Sequence, residues 1–284
     1  MLFATASLVR RIEQAEASLI AGFGRAAARK RPGGEIFIGT IGGGTAVAAG
    51  PTAPMSKIAG LGFEPIDEDT LERVEQEFTQ RATPVRVEIA SLADPAVGAL
   101  LTRRGYVLSG FENVLGLALD SVPIERAGAT RPGAAVSVAR IAAGESALWS
   151  DTVVTGFLHP DTFDAPPSNE PVDRQALDDV FEHIDEVDGL VQYLARRDGE
   201  PAGGGSLRIS NGVAQLCGAA TLPHHRRHGV QTTLLRERLA EARGNGCDVA
   251  VVTTQPGSNS QQSTERQGFA LLYVRAILIK GVRS

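Results

Sequence analysis

Residues 223–235 read Pro-His-His-Arg-Arg-His-Gly-Val-Gln-Thr-Thr-Leu-Leu, and this order of residue types describes a seat for phosphate oxygens. The apolar run Val213 to Leu222 predicts a strand that Pro223 closes, and a basic turn containing one glycine follows. Thr232 and Thr233, with Leu234, Leu235 and Leu239 behind them, predict the opening of an amphipathic helix. The first amides of a helix carry the positive end of its dipole and point outward, so Arg226 and Arg227 beside them complete an anion site. Gly229 lacks a Cβ and would let a backbone amide approach a diphosphate closely.

Other chemistries are excluded by what the 284 residues do not contain. No Gly-x-x-x-x-Gly-Lys-Ser/Thr occurs, so the loop is not that of a P-loop nucleotidase. There is no CxxC, no HExxH and no His/Cys clustering, so no metal site is expected. The two cysteines, Cys217 and Cys247, read as small buried thiols of a reducing compartment. A net charge of −5 and a pI near 5.6 disfavour nucleic acid as a partner. No run approaches the roughly 20 apolar residues that cross a bilayer. The N-terminus opens on helix-like residues (Leu8 to Glu13) without a signal-peptide core, so no membrane partner and a cytoplasmic location are expected.

The elements that must position the loop fall into two halves. Pro and Gly thicken over Pro123 to Gly133, predicting a first domain at 1–125, a linker at 126–134 and a second domain at 135–284. The halves echo one another: Leu92 to Tyr106 and Gln255 to Phe269 share one length, an offset of 163, and each ends a helix in a Gly-aromatic turn before a strand. In the second half, strands are expected at Val136 to Ile141, Leu190 to Arg197, Gly203 to Ile209, Val213 to Leu222, Val249 to Thr254 and Leu271 to Ile279. Helices are expected at Glu145 to Gly156, Arg174 to Glu186 and Gln231 to Arg243. The first half offers a strand from Val85 to Ala90, helices at Asp69 to Phe78 and Pro95 to Arg104, and a strand from Leu108 to Leu119. Where the phosphate loop would recur, Lys57 to Pro65 has glycines but no Arg-x-x-Gly turn, and Asp67-Glu68-Asp69 would repel a diphosphate.

Pro-x-x-Arg-x-x-Gly-x-Gln after a strand, together with the helix-turn-strand, resembles the GCN5-related N-acetyltransferase superfamily. Its loop pattern, Arg/Gln-x-x-Gly-x-Gly/Ala, is met by Arg226 and Gly229, with Gln231 where a second small residue is commoner. The resemblance implies an α/β (α+β) fold of two tandem acetyltransferase-like domains, each a mixed, mostly antiparallel central sheet flanked by helices, the first a degenerate copy. It implies acetyl-CoA as co-substrate, a small-molecule primary amine as acceptor, and a monomer or homodimer. The cofactor would be held by Ala220, Thr221, Leu222, Arg226, Arg227, His228, Gly229, Val230, Gln231 and Thr232, with Ser260 and Ser263 on the following helix.

The family's usual acid, a tyrosine four residues ahead of the Gly-aromatic turn, is here Thr264, an alcohol too weakly acidic for the task. Proton handling then falls to His159, whose pKa range suits a base, or to Tyr273 in the last strand. The simpler reading of His159 is an ordinary loop histidine, and that of Tyr273 a core or strand-surface tyrosine. Trp149, Phe157 and Phe163 would form an apolar acceptor pocket or simply pack, and Asp151, Asp161 and Asp164 would hold a cationic amine or lie in solvent. The competing function is an acyl-CoA-binding regulatory or structural module without chemistry, which the missing tyrosine favours.

Overall fold

The computed structural model describes residues 2–30, 33, 36–120, 136–161, 174–182 and 184–282. It divides into two compact units, one built from Phe3–Val114, Glu186–Asp188 and Leu271–Ser284, the other mainly from Leu115–Asp185 and Gly189–Ala270. The expected linker at 126–134 lies outside the described residues.

The first unit contains α1 (Ala6–Lys30), β1 (Phe37–Ile41), β2 (Gly44–Ala48), β3 (Lys57–Ala59), α2 (Glu68–Gln80), β4 (Val85–Ala90), α3 (Pro95–Arg103) and the start of β5 (Val107–Ala118). Its helix ends follow local chemistry. Asp67 caps α2 by accepting from the Thr70 amide at 3.0 Å, and Glu68 and Asp69 occupy the first turn, where the dipole favours acids. The acidic run is therefore the cap of a helix whose Leu71, Val74 and Phe78 are buried. Asp94 caps α3 in the same way at 2.8 Å, with Pro95 in the first position. Strands β1, β2 and β3 pair antiparallel in succession, and β3 meets β4 parallel at Ile58 and Val87.

The second unit carries β6 (Val136–Arg140), α4 (Ser146–Leu158), α5 (Arg174–Phe181), β7 (Leu190–Arg197), β8 (Glu200–Ser210), β9 (Val213–Thr221), α6 (Val230–Gly244), β10 (Val249–Thr254) and α7 (Asn259–Glu265). The helix expected over Arg174 to Glu186 stops at Phe181, and a tighter 3-10 turn, Ile184–Glu186, keeps Phe181 and Ile184 both buried. Strands β6 to β9 are antiparallel neighbours, and β9 and β10 run parallel. Beyond β10 in the sheet order comes the end of β5. Leu115, Leu117 and Leu119 join Leu216, Leu234, Leu235, Leu239 and Phe269 in one core, and the Leu119 amide donates to the Asp248 carbonyl at 2.9 Å.

The last strand, β11 (Ala270–Lys280), pairs instead with β4 of the first unit, Arg275 opposite Ala90 and Lys280 opposite Val85. Each unit thus draws a strand from the other half of the sequence. The repeat is otherwise faithful: the turns at Gly105 and Gly268 are both left-handed (φ +86° and +93°), and Tyr106 and Phe269 after them are each 4% exposed. The architecture is that of two tandem domains, each with a mixed, mostly antiparallel sheet flanked by helices.

Candidate functional site

The loop sits where β9 ends. Leu222 leads into a 3-10 turn, Pro223–His225, after which Arg226 is extended, Arg227 is left-handed (φ +63°) and Gly229 is left-handed again (φ +80°) before α6 opens at Val230. A non-glycine residue in that region costs about 1 kcal/mol or more and is held only where the surroundings require it. A Cβ at Gly229 would meet no atom within 4 Å, so the glycine answers to its positive φ rather than to crowding. Gln231 already lies inside the helix, whose backbone accepts any Cβ, so its departure from the family pattern leaves the turn intact.

No side chain caps α6, and its first turn holds no acid. Its leading amides are therefore offered outward, with the dipole's positive end behind them. Arg227, His228 and Gly229 are exposed, Arg226, Gln231 and Thr232 are half-buried, and Val230 is buried as the plug that anchors the helix. Further along, the buried Arg238 donates from Nη1 to the Ser206 carbonyl at 3.1 Å, fixing α6 on β8. Burial, reinforced by His224, Arg197 and His228, holds the His225 imidazole below its ordinary pKa, so it adds little positive charge.

The strand that feeds the loop is not regular. Between β8 and β9 the register slips, Gly204 facing Ala220 but Ser206 facing Cys217, so Gly218 and Ala219 bulge from the ladder with Gly218 left-handed (φ +57°). The parallel ladder to β10 runs through Val249–Val213, Ala250–Ala214 and Val251–Gln215. Past those pairs β9 continues to Thr221 bonded to β8, and β10 continues to Thr254. The two strands part at their C-terminal ends, next to the uncapped helix.

Both sides of this opening hold the segment that follows α4. The Arg226 guanidinium donates to the His159 carbonyl, and the Asn259 side chain at the start of α7 donates to the Asp161 carbonyl at 2.8 Å. His159 is exposed at the C-cap of α4, with Nδ1 2.9 Å from the Thr155 carbonyl. A nitrogen facing a carbonyl must donate, so in the neutral imidazole the proton sits on Nδ1 and Nε2 keeps its lone pair. Ser260 is exposed and Ser263 half-buried on α7, a helix capped by Ser258; Thr264 is buried and donates to the Ser260 carbonyl at 2.8 Å.

The remaining expectations are placed differently. Tyr273 lies in β11, in the first unit, 3% exposed, donating its hydroxyl to Glu13 at 2.5 Å within a buried group that includes Arg275, Lys57 and Glu88. Burial and the neighbouring Glu13 carboxylate push that phenol far above its ordinary pKa. Trp149 has no exposed surface; it packs edge-on against Phe181 at 5.3 Å and donates to the Tyr193 carbonyl at 3.0 Å, a core position rather than a pocket wall. Phe157 is half-buried and stacks on Phe181 at 6.3 Å. Phe163 and Asp164 lie outside the described residues, Asp151 pairs with Arg174 at 3.4 Å, and Asp161 is exposed.

Sequence reasoning missed Phe181 as the ring joining Trp149 to Phe157, although its place on a helical apolar stripe was visible. It also missed the bulge at Gly218, for which a glycine inside a strand was the available signal. Among the described residues no helix is long and apolar enough to cross a membrane, and no group of three or more His, Cys, Asp or Glu could hold a metal.

Residues 158–269 match the acetyltransferase (GNAT) family, a span that holds the loop, the parting strands and α7. No curated protein matches the chain. Among solved structures, a GCN5-related N-acetyltransferase from Kribbella flavida is 18% identical over 90% of this chain and 95% of its own, with a TM-score of 0.62. A tandem GNAT protein from the clavulanic acid biosynthesis pathway, in a form without acetyl-CoA, is 13% identical, covering 100% of this chain and 98% of its own at a TM-score of 0.60. A GCN5-related N-acetyltransferase from Sphaerobacter thermophilus is 15% identical over 99% and 95%, at 0.56. At these identities the structures speak for a common tandem fold.

Proposed function

Because the second half of the chain carries an acetyltransferase (GNAT) domain, we propose that the protein moves an acetyl group from acetyl-CoA to a primary amine of a small molecule, by direct attack in a ternary complex. The observation that carries this reading is the conjunction of an uncapped helix N-terminus, two left-handed residues with arginines before it, and parallel strands that part beside it. The residues fit a nucleoside diphosphate linked to an amide-containing arm. The α6 amides with Arg226 and Arg227 hold the diphosphate. The backbone of Gly218 to Thr221, free on the side away from β8, pairs with the arm as an added strand would.

Bound acetyl-CoA supplies an activated acyl group; the chain supplies position and proton transfer. A backbone amide on the parted end of β9 polarises the acyl carbonyl as the amine approaches. His159, with Nδ1 engaged by Thr155 and Nε2 open, takes a proton from the acceptor ammonium or its relay water. Tyr273 has no part in this scheme, because its hydroxyl is committed to Glu13. Phe157, half-buried on Phe181, offers an apolar wall to the acceptor.

Thiol release from acetyl-CoA over a panel of amino acids, polyamines, aminoglycosides and peptides tests the reading. Arg226→Glu is expected to weaken coenzyme A by roughly 30- to 150-fold, since reversing a charge beside a diphosphate costs about 2–3 kcal/mol. Turnover lost in that variant supports the enzyme; coenzyme A binding equally well to the variant ends the loop assignment. One observation favours a second reading, a non-catalytic acyl-CoA-binding module: Thr264 stands in the place of the usual acid and spends its hydroxyl on Ser260. Coenzyme A binding without turnover on any amine would select that alternative. For His159, His159→Gln is expected to lower turnover with the amine acceptor while coenzyme A affinity stays at the parent level, and parent-level turnover in the variant removes it as the base.

A further inference from the structure

The buried side-chain atoms of the loop-bearing unit with no hydrogen-bond partner among the described residues include Thr221 Oγ1 at the end of β9, Thr254 Oγ1 at the end of β10 and Gln231 Oε1 in the first turn of α6. Leaving a buried polar atom unsatisfied costs about 1–3 kcal/mol, so an orphan at the parted strand ends is one that a ligand could complete. Thr254 is the most enclosed, at 5% exposure. Its surroundings explain the orphan. Counting on from the last ladder pair, Val251 with Gln215, Thr254 comes level with Gly218, the left-handed residue at which β9 bulges away. The strand that would have supplied a neighbour has left. Alternation along β10 puts Thr254 on the face of Ala250 and Val252, both packed into the core around α6.

We propose that the Thr254 hydroxyl binds an amide of the arm that joins the diphosphate to the thioester, and so sets how deep that arm lies between β9 and β10. The inference rests on the acetyl-CoA reading above and adds a binding residue to it. The hydroxyl both donates and accepts, so it serves either the N–H or the carbonyl of an arm amide.

The test compares three proteins by titration calorimetry: the parent, Thr254→Val, which keeps the shape and removes the hydroxyl, and Thr254→Ser, which restores it. Each is titrated with coenzyme A and with 3′-phosphoadenosine 5′-diphosphate, which has the phosphates but no arm. Thr254→Val is expected to bind coenzyme A about fivefold more weakly, the worth of one neutral hydrogen bond. It should bind the armless nucleotide as the parent does, and Thr254→Ser should recover most of the coenzyme A affinity. Melting without ligand supplies a readout that a structural role would move the other way: Thr254→Val should melt at the same temperature or higher, because an unsatisfied hydroxyl has gone. Equal coenzyme A affinity in parent and Thr254→Val overturns the assignment, as does a lower melting temperature with both ligands weakened together. A parent that binds coenzyme A and loses it through Arg226→Glu keeps the cofactor reading even then; a parent that binds neither ligand brings down both.

Discussion

Helix α4 reaches the parted end of β9 through a single small residue, and enlarging it should separate the two. A Cβ at Gly156 would stand 2.6 Å from the Ala220 Cβ, with the Thr221 amide nitrogen at 3.4 Å and carbonyl oxygen at 3.5 Å. Two carbons rest at about 3.5–4.0 Å, so Gly156→Ala requires roughly 1 Å of separation between helix and strand. Overpacking of this kind costs about 1–3 kcal/mol, while replacing a helical glycine by alanine returns about 1 kcal/mol. The net loss is about 1 kcal/mol, or some 2–4 °C in melting temperature for a chain of this size. Binding should suffer more. The Ala220 and Thr221 backbone is proposed to pair with the cofactor arm, and hydrogen bonds that tolerate only a few tenths of an ångström do not survive a shift of about 1 Å. Loss of one or two such bonds lowers coenzyme A affinity about five- to thirtyfold. The discriminating measurement is the double variant Gly156→Ala/Ala220→Gly, which moves the methyl group across the interface instead of adding one. Titration calorimetry should show affinity largely restored in the double variant, with melting recovered in part because glycine in a strand costs about 0.5–1 kcal/mol. A single variant that melts at or above the parent and binds coenzyme A unchanged would refute the reasoning, and so would a double variant no better than the single.

Tyr273→Phe should lower stability by about 1.5–3 kcal/mol, the usual range for a hydrogen bond to a charged group, while turnover stays at the parent level; a collapse of kcat in a folded variant would return Tyr273 to the chemistry. Glu112, facing Glu88, Lys57, Arg275 and Glu16, has its carboxyl pushed up to about 7 by burial first and by Glu88 next. Its folded form therefore keeps a proton that the unfolded chain has already lost, and between pH 4.5 and about 7 this group makes the fold less stable as pH rises. Glu112→Gln cannot lose that proton, so denaturant titrations should show the variant gaining on the parent from pH 5 to pH 8. Parallel pH profiles for the two proteins would sink that expectation.

The strand, turn and helix start at 213–235 were legible in the sequence because everything that makes them is contiguous: a strand closed by proline, basic residues, a glycine and a helix start. The second half's strands and helices were legible by their periods of 2 and 3.6; the helix from Arg174 ends at Phe181 rather than Glu186, β8 starts at Glu200 rather than Gly203, and α4 runs on to Leu158. The first half was harder. Helix α1 runs 25 residues, of which only its opening carried a visible pattern, because Ala and Gly along Ala21 to Ala28 pack closely without announcing a face. The hairpin of β1 and β2 is rich in Gly, Thr and Ala rather than in large β-formers, and β3 is three residues long. Thr254 was invisible for another reason. A threonine ending a strand is ordinary, and its lack of a partner depends on a bulge in a strand some 36 residues away. Tyr273 illustrates the same limit in reverse, since Glu13, which accepts its hydrogen bond, lies 260 residues distant.

No pattern in the sequence said which strand β11 would join, and that choice bears on how the two halves of the sequence depend on each other. Alternation specifies that a segment is a strand and which face is buried, but the partner is settled by the whole sheet. Here the strand after the first Gly-aromatic turn ends beside β10, and the strand after the second joins β4. Leu115, Leu117 and Leu119 are each 4% exposed or less and share a core with Leu234, Leu235 and Leu239 of α6. Burying a leucine contributes about 1.5–3 kcal/mol, so these three supply an amount comparable with the net stability of an ordinary domain. The helix whose first turn is proposed to hold the diphosphate is thus seated on side chains encoded in the first half. The folding of the loop-bearing unit therefore draws directly on residues of the first half of the chain.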